Sequence, residues 1–273
     1  MTKLFFLISL LILVVSCENI TNEGEVNNNS KYPTKVGYEW EYNTTMKFEL
    51  YDTLGHIDST SFQDLGNTIV KVTKEFDTLG NFSNLIRFDV YDVSTPQNVN
   101  KMWYLNNDSG LTAVAYYNSG ASLPVLPKNG RLTIEQIKTL LKISGLLPAC
   151  DHFSNSISIS TDSILYYSPS RKVLKYPIKI GAKWTELNNP FYRERFVSKK
   201  QIVNSSYNSY DCYKIESIWQ FSNTEYNDYI SLNSGLVMRE YIVDSIMITS
   251  TTNPDSGRYA NIIQTSKLVR KSK

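Results

Sequence analysis

The sequence predicts an all-β protein: an antiparallel, strongly curved sheet or incomplete barrel built from two repeated β units, with one short helix between them. Two observations predict this class. Apolar and polar residues alternate along segments such as Tyr38 to Tyr51, which is the period of a half-buried strand. Such segments recur every ~10 to 15 residues with turn signals between them, and helical periodicity is almost absent.

A repeated motif predicts the internal symmetry. Tyr32 to Trp40 and Tyr176 to Trp184 both read Tyr-Pro-x-Lys-(Val/Ile)-Gly-x-x-Trp, with an offset of 144 residues (176 − 32). A second pair of similar segments, each beginning Leu-Asn and ending Ser-Gly-Leu, follows the motif copies at Leu105 to Leu111 and at Leu232 to Leu236. Two such repeated segments in the same order indicate two versions of one β-rich unit.

Each residue type in the motif has a structural role. The proline fixes φ where a strand begins, the glycine permits a tight bend, and the tryptophan three residues later faces the core. We therefore expect the two halves to superpose, with their tryptophans at equivalent buried positions. The residues concerned are Pro33, Gly37, Trp40, Pro177, Gly181 and Trp184.

The first β unit, residues 31–130, contains five predicted strands. An aromatic residue followed by Asp-Thr-Leu-Gly ends two of them, because Asp bonds its own backbone and Gly accepts a positive φ. An Asn-Asn-Asp-Ser-Gly turn joins the last two as a hairpin. The strands are Tyr38 to Tyr51, Thr68 to Phe76, Leu85 to Val93, Met102 to Leu105 and Leu111 to Tyr117.

A helical connector, residues 131–150, separates the two units. Thr133 and Gln136 form the N-terminal signature of a helix, an apolar stripe follows, and Pro148 stops it. Such a stripe favours a packing element over a partner-binding helix. The second β unit is residues 151–273, with strands at Ile157 to Ile159, Ile164 to Tyr167, Lys183 to Glu186, Phe191 to Ile202, Tyr210 to Phe221, Tyr226 to Leu232, Val237 to Val243, Ile246 to Thr252 and Tyr259 to Val269.

The N-terminus has the features of an export signal. Residues 1–16 hold Lys3 and an apolar run too short for a comfortable membrane span. The end of this signal peptide resembles the lipobox of bacterial lipoproteins, which implies that Cys17 carries acyl chains and anchors the mature protein in the membrane. Residues 17–30 are polar and form a flexible tether. An ordinary secretory signal with a chance cysteine is the alternative.

The expected location is the outer membrane, facing either the periplasm or the cell surface. Glu18 rather than Asp follows the cysteine, so the classical inner-membrane retention signal is absent. The Gly-x-x-Trp openings and the hairpin at Gly235 resemble uncharacterised secreted lipoproteins of the Bacteroidota. The chain is also similar to the curved-sheet, incomplete-barrel proteins that carry lipoproteins across the periplasm, which implies a concave binding face.

The charge of the chain excludes one class of partner. Over 273 residues the formal net charge is only +2, and the charges are interspersed, so no nucleic-acid partner is expected. One local excess lies at the C-terminal end. It is either a frayed, solvated tail or a contact for lipid headgroups. Its members are Lys267, Arg270, Lys271 and Lys273.

The sequence contains no recognised catalytic or metal-binding pattern. His56 and His152 lie in separate loops, and no Cys or His ligands are suitably spaced, so neither a metal nor another cofactor is expected. Nucleophile elbow, P-loop and dinucleotide fingerprints are missing. Carboxylates such as Asp64 and Glu194 could pair as in a glycosidase, but on alternating strands they usually form the solvated face. We therefore expect no catalytic site.

Two covalent features follow from the extracytoplasmic compartment. Cys150 and Cys212 remain once Cys17 is acylated, and they either form a disulfide or stay as buried thiols. Five Asp-(Ser/Thr)-(aliphatic or Thr) sequences resemble the O-glycosylation acceptor motif of Bacteroidota proteins, although Asp-Thr turn chemistry explains two of them. The acceptors would be Thr53, Ser59, Thr78, Ser163 and Ser245.

Three functions compete at this stage. The first is a non-catalytic envelope lipoprotein that binds a protein partner or an apolar ligand. The second is a surface lipoprotein that binds glycans on exposed Trp and Tyr. The third is a hydrolase with a carboxylate pair. An apolar cavity, an aromatic shelf and two carboxylates about 5 to 10 Å apart would respectively favour them.

Overall fold

A computed structural model describes residues 31–52, 54–117, 131–133, 164–188, 192–219, 224–248 and 258–273. The described chain is all-β, as predicted, and no helix occurs within those ranges. It therefore holds no helix long and apolar enough to cross a membrane. The predicted helix after Thr133 lies outside the described residues, as do residues 1–30.

Within the described ranges, thirteen strands make up one sheet. Twelve of them follow one another as antiparallel neighbours, and the two-residue β6 pairs in parallel with the end of β12. The strands are β1 Glu39–Tyr51, β2 Ile57–Leu79, β3 Phe82–Asp92, β4 Asn100–Asn107, β5 Gly110–Tyr117, β6 Arg131–Leu132, β7 Leu165–Lys175, β8 Lys183–Leu187, β9 Arg193–Asn204, β10 Ser209–Trp219, β11 Thr224–Ser231, β12 Gly235–Ile248 and β13 Arg258–Ser272.

The strand order divides the sheet into two equivalent halves. The order is β7-β5-β4-β3-β2-β1-β13-β12-β11-β10-β9-β8. Each half is therefore a six-stranded antiparallel meander: β1 to β5 with β7, and β8 to β13. The two units share one sheet, and the predicted repeat is confirmed in its strand order.

The sheet curls into a nearly closed barrel with one seam. Where the halves join in the middle, β1 and β13 pair along their whole length, from Glu39 opposite Ser272 to Tyr51 opposite Tyr259. At the equivalent outer junction β7 meets β8, where Trp184 Nε1 donates to the Lys172 carbonyl at 2.8 Å. This side-chain contact spans the junction where the barrel remains open.

The two motif copies have the same backbone bonding. In the first copy, Gly37 N donates to Val72 O at 3.3 Å, and Tyr38 O accepts from Val72 N at 2.9 Å. In the second, Gly181 N donates to Val197 O at 2.8 Å, and Ala182 O accepts from Val197 N at 3.0 Å. Both glycines have a positive φ, 96° and 85°, so each supplies the tight bend expected of it.

Trp40 and Trp184 are both buried, as predicted, at 0% and 8% exposure. The Trp40 indole donates to the Ser234 carbonyl at 2.6 Å, so each tryptophan uses its N–H on a backbone oxygen. The main core surrounds both of them. Its largest members include Tyr32, Trp40, Tyr42, Phe88, Met102, Tyr104, Tyr167, Trp184, Tyr213 and Tyr229.

Because neighbouring strands are antiparallel and β1 and β8 stand six positions apart, both motif strands run in the same direction. Both therefore begin at one end of the barrel, which we call the motif end. The β4–β5 and β11–β12 turns and the end of β13 lie there as well. The opposite end, where β1 and β12 finish and β13 begins, we call the cleft end.

The tip of the β2–β3 hairpin folds over the outside of the first half. Positive φ values at Phe76 and Asn84 and three register shifts bend the hairpin away from the sheet. Trp103 Nε1 donates to the buried Asp77 carboxylate at 2.9 Å, and the Phe82 ring stacks on Tyr166. A second apolar cluster, containing Leu85 and Trp103, is covered in this way.

Candidate functional site

A cleft of about 590 Å³ opens at the cleft end of the barrel. The β1–β2 turn forms one wall, and the ends of β12 and β13 form the other. Its lining is mixed, with two tyrosine rings, one cation, one carboxylate, one amide and one hydroxyl. The residues are Tyr51, Asp52, Leu54, Gly55, Ser245, Arg258, Tyr259 and Asn261.

Asp52 holds the first wall in shape. Its Oδ1 accepts the backbone N–H groups of Leu54 and His56, both at 2.8 Å, as in the Asx turn that the Asp-Thr-Leu-Gly sequence predicts. The His56 backbone N–H bond is the largest of the causes that lower the pKa of Asp52. The carboxylate therefore stays ionised and is committed to the turn.

Asn261 organises the second wall. Its Nδ2 donates to Tyr51 Oη at 2.9 Å, and its Oδ1 accepts the Ser245 backbone N–H at 2.9 Å. Ser245 sits at a positive φ of 54°, which turns the end of β12 towards the cleft. Arg258 is held at the rim by an ion pair with Asp58.

The two tyrosines give the cleft an aromatic face. Tyr51 and Tyr259 are directly opposite each other on β1 and β13. Desolvation, with the Glu49 carboxylate second, raises the pKa of Tyr51, so its hydroxyl stays protonated at neutral pH. The Tyr259 ring is 49% exposed and free to stack on a ligand.

A second cluster of polar groups lies inside the barrel. Arg193 Nη2 donates to Glu186 Oε1 at 2.5 Å. Asp228 is bound on both oxygens, by Arg195 Nη2 at 2.6 Å and by Arg239 Nε at 2.7 Å. All five side chains are buried, so this network lies in the barrel interior and away from solvent.

The Tyr226 ring packs at the centre of this network. The guanidinium carbons of Arg195 and Arg239 both lie 4.4 Å from the ring centroid, and that of Arg193 lies at 5.5 Å. Desolvated cation–π contacts of this kind stabilise arginines that water cannot reach. The ring and the two carboxylates offset part of the charge of the three guanidinium groups.

The two buried carboxylates have opposite pKa shifts. Burial raises the pKa of Glu186 to about 7, against the opposing effect of Arg195. Asp228 is also desolvated, but Arg239 and Arg195 both bind it, and the net effect lowers its pKa. An acid and a base side by side are the parts of a hydrolytic site, yet Glu186 and Asp228 are only 5% and 0% exposed.

The sequence did not point to Glu186 and Asp228, and the carboxylates predicted as a possible pair were Asp64 and Glu194. Asp64 accepts the Gly66 N–H at 2.8 Å and caps a bend, and Glu194 forms an ion pair with Lys183 at 3.6 Å. Strand alternation could have found Glu186, because it lies two residues after the core-facing Trp184 and so points to the same side.

The other predicted residues fall in separate places. Cys212 is a buried thiol on β10, and burial raises its pKa to about 12. Cys17, Cys150 and His152 lie outside the described residues, so both lipidation and the disulfide stay predictions. His56 is exposed beside Asp52. Within the described ranges, no group of His, Cys, Asp or Glu could hold a metal ion.

Three of the five predicted glycosylation acceptors are described, and all three are exposed: Ser59, Thr78 and Ser245. Thr53 and Ser163 lie outside the described residues. The Asp77 that precedes Thr78 is buried against Trp103, which gives it a structural role. The modification itself remains a prediction.

Comparison with solved structures gives three matching chains, of which two are described here. No protein-family model and no curated protein matches the chain. A candidate lipoprotein of Parabacteroides distasonis ATCC 8503 is 12% identical, with a TM-score of 0.36 over 88% of this chain and 97% of that one. A candidate exported protein with a YmcC-like fold, from Bacteroides fragilis NCTC 9343, is 12% identical, with a TM-score of 0.35 over 89% and 99%.

Proposed function

We propose that this chain is a lipid-anchored envelope protein that binds a saccharide in the cleft and does not catalyse a reaction. The observation that carries the proposal is the lining of the cleft. The half-exposed Tyr259 ring lines the cleft, and Arg258 and Asn261 lie on the same wall. Aromatic faces combined with hydrogen-bonding side chains suit a ring-shaped ligand that is rich in hydroxyl groups.

The lining favours a saccharide over an apolar ligand. Arg258, Asn261 and Ser245 all line the cleft, and an apolar ligand would cover these polar side chains without offering them hydrogen bonds. Leu54 supplies an aliphatic surface at the edge, as the apolar face of a sugar ring would need. An elongated glycan could enter along the open side of the cleft.

The non-catalytic part of the proposal rests on Asp52. Among the described lining residues Asp52 is the one carboxylate, and its Oδ1 holds the turn that forms the wall. A glycosidase acid needs a raised pKa so that it carries a proton at neutral pH, whereas the pKa of Asp52 is lowered. Asp52 therefore acts as a structural group.

The test is saccharide binding by the unlipidated mature chain, residues 18–273. An array of envelope and host polysaccharides would identify ligands, and calorimetry would give affinities. We expect Tyr259→Ala to lower the affinity at least tenfold. Tyr207→Ala is the matched control, because Tyr207 is an exposed tyrosine in the β9–β10 turn at the motif end.

Two results would overturn this proposal: no saccharide bound by the folded protein, or equal losses in the two tyrosine variants. Turnover of a bound glycan that stops on changing Asp52 to Asn would refute the non-catalytic part alone. Lipid attachment is tested separately by Cys17→Ser, which should abolish labelling with radioactive palmitate and release the protein from the membrane fraction.

A protein partner is a second candidate, favoured by the edge of β2. Residues 57–66 pair with β1 on one side, whereas pairing with β3 begins only at Thr68. Among the described strands nothing covers the other edge, where Ile57 and Phe62 are exposed. Edges of this kind accept an extended peptide as an added strand. A photo-crosslinking residue at position 62, but not at 207, should then capture one defined partner in cells.

A further inference from the structure

We infer that the motif end of the barrel is a membrane-contact surface that binds an anionic lipid bilayer directly, apart from any acyl anchor. The surface consists of the two motif loops and the lysines around them. This inference is independent of saccharide binding, which concerns the opposite end of the barrel.

The two loops place matched aliphatic residues at the same end. Val36 and Ile180 occupy the same position in the two motif copies, each directly before the bend glycine, and their side chains are 51% and 60% exposed. Trp40 and Trp184, in the same copies, are buried as the repeat requires. Packing therefore does not explain why both copies keep an aliphatic residue in water at this position.

A lysine precedes each exposed aliphatic residue. Lys35 and Lys179 are both exposed, and each lies directly beside Val36 or Ile180. This pairing of cation and aliphatic side chain is typical of a surface that enters the headgroup region of a bilayer. The two copies stand six strands apart around the barrel, so they could touch one flat surface at two points.

Further lysines collect at the same end. Lys271 and Lys273, at the end of β13, lie over the Tyr38 ring at 5.3 and 5.5 Å. Lys175 is exposed beside the β4–β5 turn, opposite Gly110. Lys175 and Lys273 would contact anionic headgroups, with a gain of about fivefold in partitioning for each lysine, whereas the Lys271 ammonium donates to the Asn233 carbonyl at 2.8 Å.

The acidic residues of this end are engaged by their neighbours. Asp108 forms an ion pair with Lys31 at 2.7 Å, and Glu75 accepts the Val36 backbone N–H at 2.7 Å. Glu39 and Glu41 both pair with Arg270. Lys71 also pairs with Glu39 at 3.4 Å, so of these four described acids only Glu75 has no cation as its partner. The exposed Lys35, Lys175, Lys179 and Lys273 outnumber it, and the motif end therefore has a net positive surface that complements an anionic bilayer.

The start of the described chain lies on this surface. Lys31 is the first described residue, and its contact with Asp108 fixes it at the β4–β5 turn. Thirty residues precede it, and the predicted lipidation site Cys17 is fourteen residues away in the sequence (31 − 17). An anchor at Cys17 would thus hold the motif end within reach of the bilayer.

The experiment uses the unlipidated chain of residues 18–273, which retains every strand of the sheet. Co-sedimentation would be measured with phosphatidylcholine vesicles and with vesicles that also contain phosphatidylglycerol, at low and high salt. We expect binding to the anionic vesicles only, and release at high salt. Lys35→Gln with Lys179→Gln should weaken partitioning about 25-fold, at about fivefold for each lysine.

The aliphatic contribution has a matched control. Val36→Ser with Ile180→Ser should weaken binding to anionic vesicles at least tenfold. Val93→Ser with Ile57→Ser should not, because these residues have similar exposure, 48% and 54%, but lie outside the two motif loops. Melting curves would confirm that each variant is folded.

Three results would overturn the inference: no binding of the wild-type chain to anionic vesicles, equal binding to neutral vesicles, or equal losses in the two aliphatic pairs. Saccharide affinity measured on the same variants separates the two proposals, since the motif-end changes should leave it unaltered.

Discussion

The Tyr32 backbone amide donates to the Tyr176 hydroxyl at 2.8 Å, across a separation of 144 residues. These tyrosines are the first residues of the two motif copies, so this hydrogen bond joins the two copies at the motif end. Each tyrosine also binds the turn of the other half. Tyr32 Oη accepts the Leu236 N–H at 3.2 Å, and Tyr176 Oη donates to Asn106 Oδ1 at 3.1 Å. This exchange ties the two halves together near the open seam.

Tyr176→Phe should therefore destabilise the barrel by about 1–3 kcal/mol, because it leaves the Tyr32 N–H and the Asn106 side chain without this partner. Urea unfolding would measure the change. Tyr207→Phe, at an exposed turn, should change the stability by less than about 0.5 kcal/mol. Equal effects would show that the exchange contributes nothing.

Truncation of either motif tryptophan should be severe. Trp40→Ala should cost about 3–5 kcal/mol, since the ring is fully buried and its N–H bonds Ser234. Trp184→Ala should cost less, because this buried residue at the seam is 8% exposed whereas Trp40 is 0% exposed. Denaturant midpoints would rank the two variants. The reverse order would mean that the seam is more tightly packed than the central junction.

We predict that no other residue can replace Gly110. The main reason is a steric clash and not its positive φ. An added Cβ would lie 2.0 Å from the Leu174 carbonyl oxygen, so the β5–β7 pairing would have to separate. We expect Gly110→Ala to prevent folding or to cost more than about 4 kcal/mol. Gly66→Ala is the control, because Gly66 also has a positive φ but no atom within 4 Å. It should cost about 1–2 kcal/mol, measured by thermal melting.

Local chemistry made the repeat and its bends predictable. Pro-x-Lys-x-Gly-x-x-Trp constrains φ, bend and burial within eight residues, so Gly37 and Gly181 behave as expected. The predicted turn at Asp52 is also confirmed, because an Asx turn depends only on atoms of neighbouring residues. These features need no information from distant parts of the chain.

Features set by distant parts of the chain could not be predicted. The segment from Ile57 to Gly66 was not predicted as a strand, since it lacks apolar alternation, yet its pairing with β1 makes it one. The same holds for the cleft. Tyr51 and Asn261 are 210 residues apart, and only the register of β1 with β13 brings them together.

The buried network should respond strongly to the loss of Asp228. Asp228→Asn removes the charge that Arg195 and Arg239 share, and it should cost about 3–5 kcal/mol. Asp211→Asn is the matched control, because Asp211 also pairs with a cation, Lys200, but on the surface. It should cost less than about 1 kcal/mol. Chemical denaturation of both variants at pH 7 provides the comparison.

Glu186 predicts how stability depends on pH. Burial raises its pKa from 4.5 to about 7, so between these values the folded protein holds a proton that the unfolded chain has released. The stability that this group contributes is therefore fully present below pH 4.5 and is lost as the pH rises towards 7 and above. The full shift corresponds to about 3 kcal/mol at most.

Glu186→Gln should remove this dependence, because the amide keeps the shape of the side chain and does not titrate. We expect the free energy of unfolding of the wild type to fall between pH 5 and pH 8 relative to that of the variant. Glu194→Gln is the control, since Glu194 lies on the solvated face and pairs with Lys183. Parallel curves for wild type and Glu186→Gln would mean that the adjacent Arg193 and Arg195 hold the carboxylate ionised throughout this range.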